Sequence, residues 1–447
     1  MSRAINPSSL PAPHSFLLFG ALLLHISFLL SLKWGFLNPL FHDPNHTYGP
    51  GADFFAIYQA GHNALNGTSL YVNLEAEAAQ GDLAVPYFYP FRYLPIVAYT
   101  LGAALTLFEP YRAYHLWIIF YEILLGLNIF LTWRISPDRK TALLATALWL
   151  AFSPYYLELY MGQFSFLMGT FIFLMGYGHL TGKLRLWDMT WMASVLLKLN
   201  TLLITPLLLR MKRIRPIIGV LLLILLSSAP YFLKFPADLP LFLDNLKLSG
   251  TFGENFHSGN HGLQALLYNT IFRYRGLSGS DSIRILYPVT LPLILLILGV
   301  SGLLTLLPGK LNVIENLALW MSVYFLIYKH VWEHHYVMLL PALVLLYVQM
   351  GDSHDLASLR PSSPQGRGAP GRDLRRGLLL GIYVLLALPT PFYFFNRPGT
   401  EGIYDPSLYW SRLEDFLHHL SKPLPVGLLY GYLVYAHLEK MLKKTIA

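Results

Sequence analysis

The chain has 447 residues, a formal net charge of +8, no cysteine, 55% apolar residues and only 13% charged ones. A soluble surface takes about a quarter charged residues, so a soluble enzyme, a disordered chain, a disulfide framework and a thiolate metal site are all excluded. Aromatic residues reach 15%, with 29 Tyr and 28 Phe, which suits a protein that crosses two membrane–water interfaces. The positive balance points to cytoplasmic loops of a membrane protein and not to a nucleic-acid partner.

A bilayer-crossing helix needs about 20 mostly apolar residues, because hydrocarbon offers the backbone no water. In chain order the apolar runs predict spans at 14–33, 86–108, 112–133, 141–157, 163–181, 187–209 and 214–232, then at 284–307, 312–329, 334–350, 377–395 and 424–442. This is an all-α polytopic membrane protein of about twelve helices, with both termini on one side. The first run reads as a retained span: it is long, and no small-residue cleavage site precedes the polar loop.

Orientation follows from Lys and Arg. The loop 38–85 has neither, yet carries Asp43, Asp53, Glu75, Glu77 and Asp82, and is placed outside the cytoplasm. Arg210, Lys212, Arg213 and Arg215 form one basic cluster, Arg360, Arg367, Arg372, Arg375 and Arg376 another, and Lys440, Lys443 and Lys444 mark the C-terminus. Strict alternation places all three inside, with both termini cytoplasmic. It also leaves Arg134, Arg139 and Lys140 outside, against the rule, so a broken or re-entrant segment is expected nearby. Position 198 is a candidate break, since Lys198 and Asn200 interrupt an apolar run ahead of Pro206. The segments 38–85 and 233–283 read as extracytoplasmic loops. The Ser/Pro/Gly/Arg-rich stretch 351–376 reads as a disordered cytoplasmic linker dividing a module over 1–350 from a final helical pair over 377–447.

Polar groups gather on the extracytoplasmic side. GADFFAIYQAGHNALNGTSLY places Asp53 beside Phe54 and Phe55, on a run whose Phe54, Ile57, Tyr58 and Leu65 have helical spacing, as an interfacial amphipathic helix would. A carboxylate beside aromatics is partly desolvated and becomes a better proton acceptor; the structural alternative is a helix N-cap. PYFYPFRYLP follows, with Tyr89 and Arg92. Gln163 opens a helix after Gly162, and Lys198 is an intramembrane cation, expensive unless paired or solvated. YKHVWEHHYVMLLP carries Lys329, His330, Glu333, His334 and His335, for which snorkelling and interface anchoring are the plain readings. His330, Glu333 and His334 lack the order of a zinc-binding HExxH, and no metal is expected. In TFGENFHSGNHGLQALLY, the residues Asn255, His257, Asn260, His261 and Gln264 are hydroxyl-binding types, or simply a solvated loop.

At these residues the chain resembles glycosyltransferase family 87, the polyprenol-phosphate-mannose-dependent mannosyltransferases of the GT-C superfamily. The likeness runs through ADFFAIYQAGHNALNGTSLY, Tyr89–Pro90 with Pro95, LFEPYRAYHLW, MGQFSFL, LKLNTLLITPLLL, NHGLQALLY and HHYVMLLPAL, in this order over residues 52–344. The crowding of Tyr87, Phe88, Tyr89, Phe91 and Tyr93, and Asn200 after the lysine, depart from the family pattern and bear on the acceptor. The resemblance implies a GT-C bundle with a catalytic acid in the first extracytoplasmic loop, and hence Asp53 as general base. It implies a polyprenyl-phosphate-linked sugar donor, a lipid or glycan acceptor, inversion at the sugar carbon, and no cofactor. Beside membrane lipids, those are the partners expected. Lys198, Arg92, His334 and His335 are assigned to the donor phosphate, and Tyr58, Tyr89, Gln163, His257, Asn260 and Gln264 to sugar or acceptor hydroxyls. A secondary transporter or lipid flippase is the competing class, but transporters of this size carry two related halves, and no such symmetry is seen.

Overall fold

The apolar runs fold as helices, and among the described residues no strand forms beyond one isolated bridge between Asn260 and Trp332. The structure is a computed structural model that describes residues 13–46, 49–71, 83–248, 257–276, 279–307, 312–350, 370–400, 403 and 405–446. Glu75, Glu77, Asp82, Asn255 and most of the expected linker (351–369) lie outside the described residues.

Helix α1 is Pro13–Trp34, and a short α2, His42–His46, leads to α3, Ala52–Asn66. Helix α4 covers Pro95–Leu105 and α5 Pro110–Ile135. Next come α6 (Arg139–Leu150), α7 (Pro154–Met161) and α8 (Ser165–Leu180). Helices α9 (Leu184–Leu197), α10 (Leu199–Arg210), α11 (Ile214–Lys234) and α12 (Asp238–Leu248) follow. Then come α13 (Leu263–Arg275), α14 (Gly279–Leu306), α15 (Val313–Ile327) and α16 (Leu340–Gln349). The last are α17 (Pro370–Ala387), α18 (Arg412–Leu420) and α19 (Pro423–Ile446).

Helices α1, α5, α11 and the segment Arg284–Leu306 of α14 are each long and apolar enough to cross a membrane alone; α6 and α7 join them as a pair bent by 47°. Their outer faces expose Leu, Ile and Phe, whereas α15 and α16 are buried along almost their whole length. Apolar side chains turned outward on single helices are what a lipid solvent requires.

The predicted span 334–350 is α-helical only from Leu340, after a 3-10 turn over Glu333–Met338, and 377–395 ends its helix at Ala387; two further spans fold differently, and the reasons are local. In the 86–108 run, Pro86, Pro90 and Pro95 keep residues 86–94 out of helix, because each removes a donor and restricts the residue before it. Only Pro95–Leu105 is helical, with a widened π turn over Ala98–Gly102. It lies on α3 so closely that a Cβ on Gly61 would sit 2.1 Å from the Gly102 carbonyl carbon. The 187–209 run is a hairpin. Helix α9 stops at Leu197, Lys198 is extended at φ −149°, ψ 117°, and α10 turns back. The Trp191 indole donates to the Thr201 carbonyl at 3.1 Å, and Arg213 pairs with Asp188 near the start of α9. The break expected at 198 is therefore the tip of this hairpin.

These two changes remove the conflict in the charge pattern. Because α4 does not carry the chain through, α5 starts beside α3, where the Tyr58 hydroxyl donates to the Phe108 carbonyl, and runs to the opposite end. There Asp138 caps α6 by accepting from the Thr141 amide at 2.8 Å, within the field of Arg376. Arg134, Arg139 and Lys140 thus share an end with the basic residues that open α17.

The final helices pack onto the rest. Lys422, at the head of α19, is buried against Glu333 at 3.0 Å and donates to the carbonyls of Leu386 at 2.9 Å and Leu388 at 2.5 Å. Glu333 also accepts from the Thr390 amide at 3.1 Å. Breaking a buried pair leaves an uncompensated charge, so Lys422→Met is expected to lower stability by about 3–5 kcal/mol. Glu333→Gln with Lys422→Met should recover part of that loss, and thermal unfolding in detergent reads both.

Candidate active site

A cavity of about 660 Å³ opens where the predicted polar clusters converge. Its walls include Asp43, Asp53, Tyr89, Arg92, Tyr93, Gln163, Lys198, Asn200, Tyr324, Tyr328, His330, Trp332, His334 and His335, with Leu197, Leu199, Leu203, Phe242 and Ile327 forming an apolar side. This is the size and mixture of a small-molecule site: mostly apolar, with few polar groups converging.

Asp53 reaches the cavity from the first turn of α3. Gly51 is the N-cap, at φ 85°, and its amide donates to the Tyr160 carbonyl at 2.7 Å. Asp53 is therefore not the cap, which removes its structural alternative. The helix is buried among protein elements from Ala52 to Gly61, so it is an inner helix here and not one lying half in lipid. A Cβ on Gly51 would meet the Phe55 ring at 3.0 Å, and positive φ is costly for other residues, so glycine is required there.

Asp43 comes from α2, a residue that sequence reasoning did not assign. Between the two carboxylates stands His334: its Nδ1 is 3.7 Å from Asp43 Oδ2, and its Nε2 is 3.9 Å from Asp53 Oδ2. His42 Nδ1 is 3.4 Å from the other Asp43 oxygen. All four side chains are at most 9% exposed. Burial works to raise Asp43, but His334 and His42 outweigh it and hold its carboxyl below the usual range. Burial also raises Asp53, and there it prevails over the charges of His334, Lys198 and Arg92, so Asp53 stays above an ordinary carboxyl and is the better base. Burial disfavours a charged His334, yet the two flanking carboxylates overcome this and raise it. At His330 burial and the charge of Arg92 outweigh the pull of Asp43 and push it down to about 3, leaving it neutral. His335 is lowered likewise, by burial and by Lys198, and its Nδ1 accepts from the Trp332 amide at 3.2 Å. Of these three imidazoles, His334 is the one whose charged form its surroundings favour.

The cations stand elsewhere in the cavity wall. Lys198 projects from the α9–α10 hairpin tip, 6.0 Å from the Phe164 ring centroid, and makes no ion pair among the described residues. Arg92 lies 5.6 Å from the Tyr89 ring centroid. Gln163 is oriented by its neighbours, with Oε1 accepting from the Tyr93 hydroxyl and the Phe164 amide, each at 3.0 Å.

Four assigned residues lie outside this cavity. The Tyr58 hydroxyl is engaged by the Phe108 carbonyl. Asn260 donates to the Lys329 carbonyl at 2.9 Å and accepts from the Gly262 and Val331 amides, each at 3.1 Å, which clamps its loop to the 329–332 strand-like segment. Gln264 donates to the Ile327 carbonyl at 2.8 Å. His257 accepts from the Gly259 amide at 3.0 Å and lies beside the Trp332 ring, whose position requires glycine at 259. These amides and imidazoles hold the loop that presents His330 and Trp332. Their type was legible, but whether they faced ligand or backbone depended on a contact 63 to 71 residues away.

His330, Glu333 and His334, in which no metal is expected, are also dispersed. Glu333 is engaged by Lys422 while His334 faces Asp43 and Asp53, and among the described residues no group of three His, Asp or Glu is placed to hold a metal. Activity is expected to survive EDTA; loss restored by one divalent ion would contradict this.

No family model matches the chain, and no curated protein matches it. Among solved structures, the crystal structure of ArnT from Cupriavidus metallidurans bound to undecaprenyl phosphate is similar over 92% of this chain and 77% of that one, at 12% identity and a TM-score of 0.42. A likeness at that level carries no chemistry across. The resemblance to glycosyltransferase family 87 therefore rests on the motifs.

Proposed function

We propose that the chain is a membrane glycosyltransferase with a GT-C-type architecture, moving a hexose, with mannose the first choice, from a polyprenyl-phosphate-linked donor to a lipid or glycan hydroxyl on the extracytoplasmic face. The observation that carries this reading is that a buried base, Asp53, and half-buried cations, Lys198 and Arg92, face one cavity from separate elements, with an apolar wall beside them. A transfer of this kind needs a proton acceptor at the attacking hydroxyl and fixed positive charge at the departing phosphate.

In the proposed step, Asp53 accepts the acceptor's hydroxyl proton as its oxygen attacks the anomeric carbon. The bond from that carbon to the phosphate oxygen breaks, and its electron pair leaves on the polyprenyl monophosphate. A single displacement inverts the centre, so a β-linked donor gives an α-glycoside. Lys198 and Arg92 meet the growing negative charge in a site from which most water is excluded. Tyr89, Gln163 and, from the structure, Tyr93 and Trp332 line the space for the sugar. The apolar wall suits a polyprenyl chain entering from the bilayer.

Purified protein given radiolabelled polyprenyl-phosphate mannose should release polyprenyl phosphate when an acceptor lipid extract is present. Uptake of the labelled donor into proteoliposomes without release would instead make the chain a transporter or flippase.

A further inference from the structure

His334 has one carboxylate on each ring nitrogen. A neutral imidazole has one N–H and one lone pair, so it is complementary to only one of two carboxylate acceptors; serving both requires N–H on both nitrogens, which is the imidazolium. The distances of 3.7 Å to Asp43 and 3.9 Å to Asp53 are ion-pair distances, and contacts of this kind tighten when substrate closes a site. His42 stands behind Asp43 at 3.4 Å, on the carboxylate oxygen that does not face His334. The order of these buried side chains is therefore His42, Asp43, His334, Asp53, the last three lining the cavity.

We propose that Asp43 is a positioning residue of the reaction, holding His334 as a fixed imidazolium between Asp43 and Asp53 so that Asp53 remains ionised in a buried site and can accept the acceptor's proton. This rests on the glycosyltransferase reading. A carboxyl buried as deeply as Asp53 is driven toward its neutral form, in which it is no base. A cation on its inner side offsets that drive, and the cation persists because Asp43 occupies its other nitrogen. Asp43 itself stays ionised, between two imidazoles. The remaining charged or titratable groups that bear on His334 and Asp53 are Glu158, Lys198, Arg92, His330, His335, Tyr87 and Tyr93. Glu158 adds to the negative field at His334, while Lys198 and Arg92 add to the positive field at Asp53.

The sign of the effect follows. Removing the Asp43 charge lets His334 lose its proton at lower pH; Asp53 is then freed of the smaller like-charge push of Asp43 but loses the larger counter-charge of His334, so on balance it gains a proton at higher pH. In Asp43→Asn the pH profile of turnover should narrow from both sides: the acid limb moves up and the alkaline limb moves down. Peak turnover should fall by about 10-fold or more, because fewer molecules carry both required states. Asp43→Glu keeps the carboxylate and should restore the limbs toward wild type. Binding of undecaprenyl phosphate, which probes the cation end and the chain wall, should be unchanged in Asp43→Asn and also shows that the variant is folded. A uniform loss with unshifted limbs would mean that Asp43 only supports the fold, and would overturn the proposal.

A second measurement needs no activity. Histidine-selective ¹⁵N spectra of the whole protein in nanodiscs should show an imidazolium near neutral pH that disappears in His334→Gln, separate from any signal of other carboxylate-paired histidines such as His419 on Asp415. It should become a neutral ring in Asp43→Asn. A neutral His334 in the wild type overturns the proposal whatever the reaction proves to be. Wild-type protein that shows the imidazolium but transfers no sugar overturns the glycosyltransferase reading instead.

Discussion

Asp53→Asn should lower turnover by about 10²-fold or more, taking general-base catalysis at its usual 10²–10⁴. The substitution keeps the size of the side chain and most of its hydrogen-bonding capacity, but an amide cannot take the acceptor's proton. An alcohol is a poor nucleophile until that proton is leaving, so the step slows although the reactants remain in place. Donor binding should change little, since Lys198 and Arg92, not Asp53, meet the phosphate. The helix should also survive, because its cap is Gly51 and the rest of its first turn is packed by Phe54 and Phe55. Steady-state kinetics with labelled donor, together with thermal unfolding, separate these effects. Wild-type turnover in Asp53→Asn would remove Asp53 from the mechanism and leave His334 without a catalytic partner.

The place of Asp53 beside Phe54 and Phe55 in one helical run was legible because it is local, whereas its burial against His334 at the cavity comes from distant parts of the chain. Lys198 was legible for a related reason, as a lone cation in an apolar stretch. Its place at a hairpin tip was harder to read, since the apolar periodicity continues through residues 187–209 and only Lys198, Asn200 and Pro206 mark the turn. The run 86–108 misled in the opposite direction: its hydropathy reads as a span, while three prolines and the Gly61–Gly102 contact make it a short helix packed on α3. The Arg134–Lys140 anomaly in the charge pattern already signalled that one of these runs was misassigned. Asp43, by contrast, acquires meaning only when His334, almost three hundred positions later in the chain, is brought between it and Asp53. Asn260 and Gln264 show the converse: residue types suited to sugar hydroxyls are used up by backbone groups of the loop that follows α15 and of its last turn.

Lys198→Met should cost about 10²–10³ in turnover, the scale on which removing one preorganised group at a developing oxyanion acts. Methionine preserves the length and most of the volume of the side chain, so the cavity keeps its shape and loses one charge. That charge has no ion-pair partner among the described residues, and it faces the space beside Gln163 and Asn200. An unpaired cation away from water is expensive, so the fold alone would do better without it. Lys198→Met should accordingly insert and purify normally, with a melting temperature equal to or above that of the wild type. A gain in stability paired with a loss of turnover is the signature of a residue kept for function. The donor's KM should also rise, because the monophosphate loses a cation in the ground state as well as in the transition state. This distinguishes Lys198→Met from Asp53→Asn, in which turnover falls and KM holds. Lys198→Arg should recover part of the donor affinity, but less of the turnover, since the planar guanidinium directs its donors differently from a point ammonium. Should Lys198→Met transfer sugar at the wild-type rate, the lysine would be no more than a long side chain reaching for polar surroundings, and phosphate neutralisation would fall to Arg92 alone.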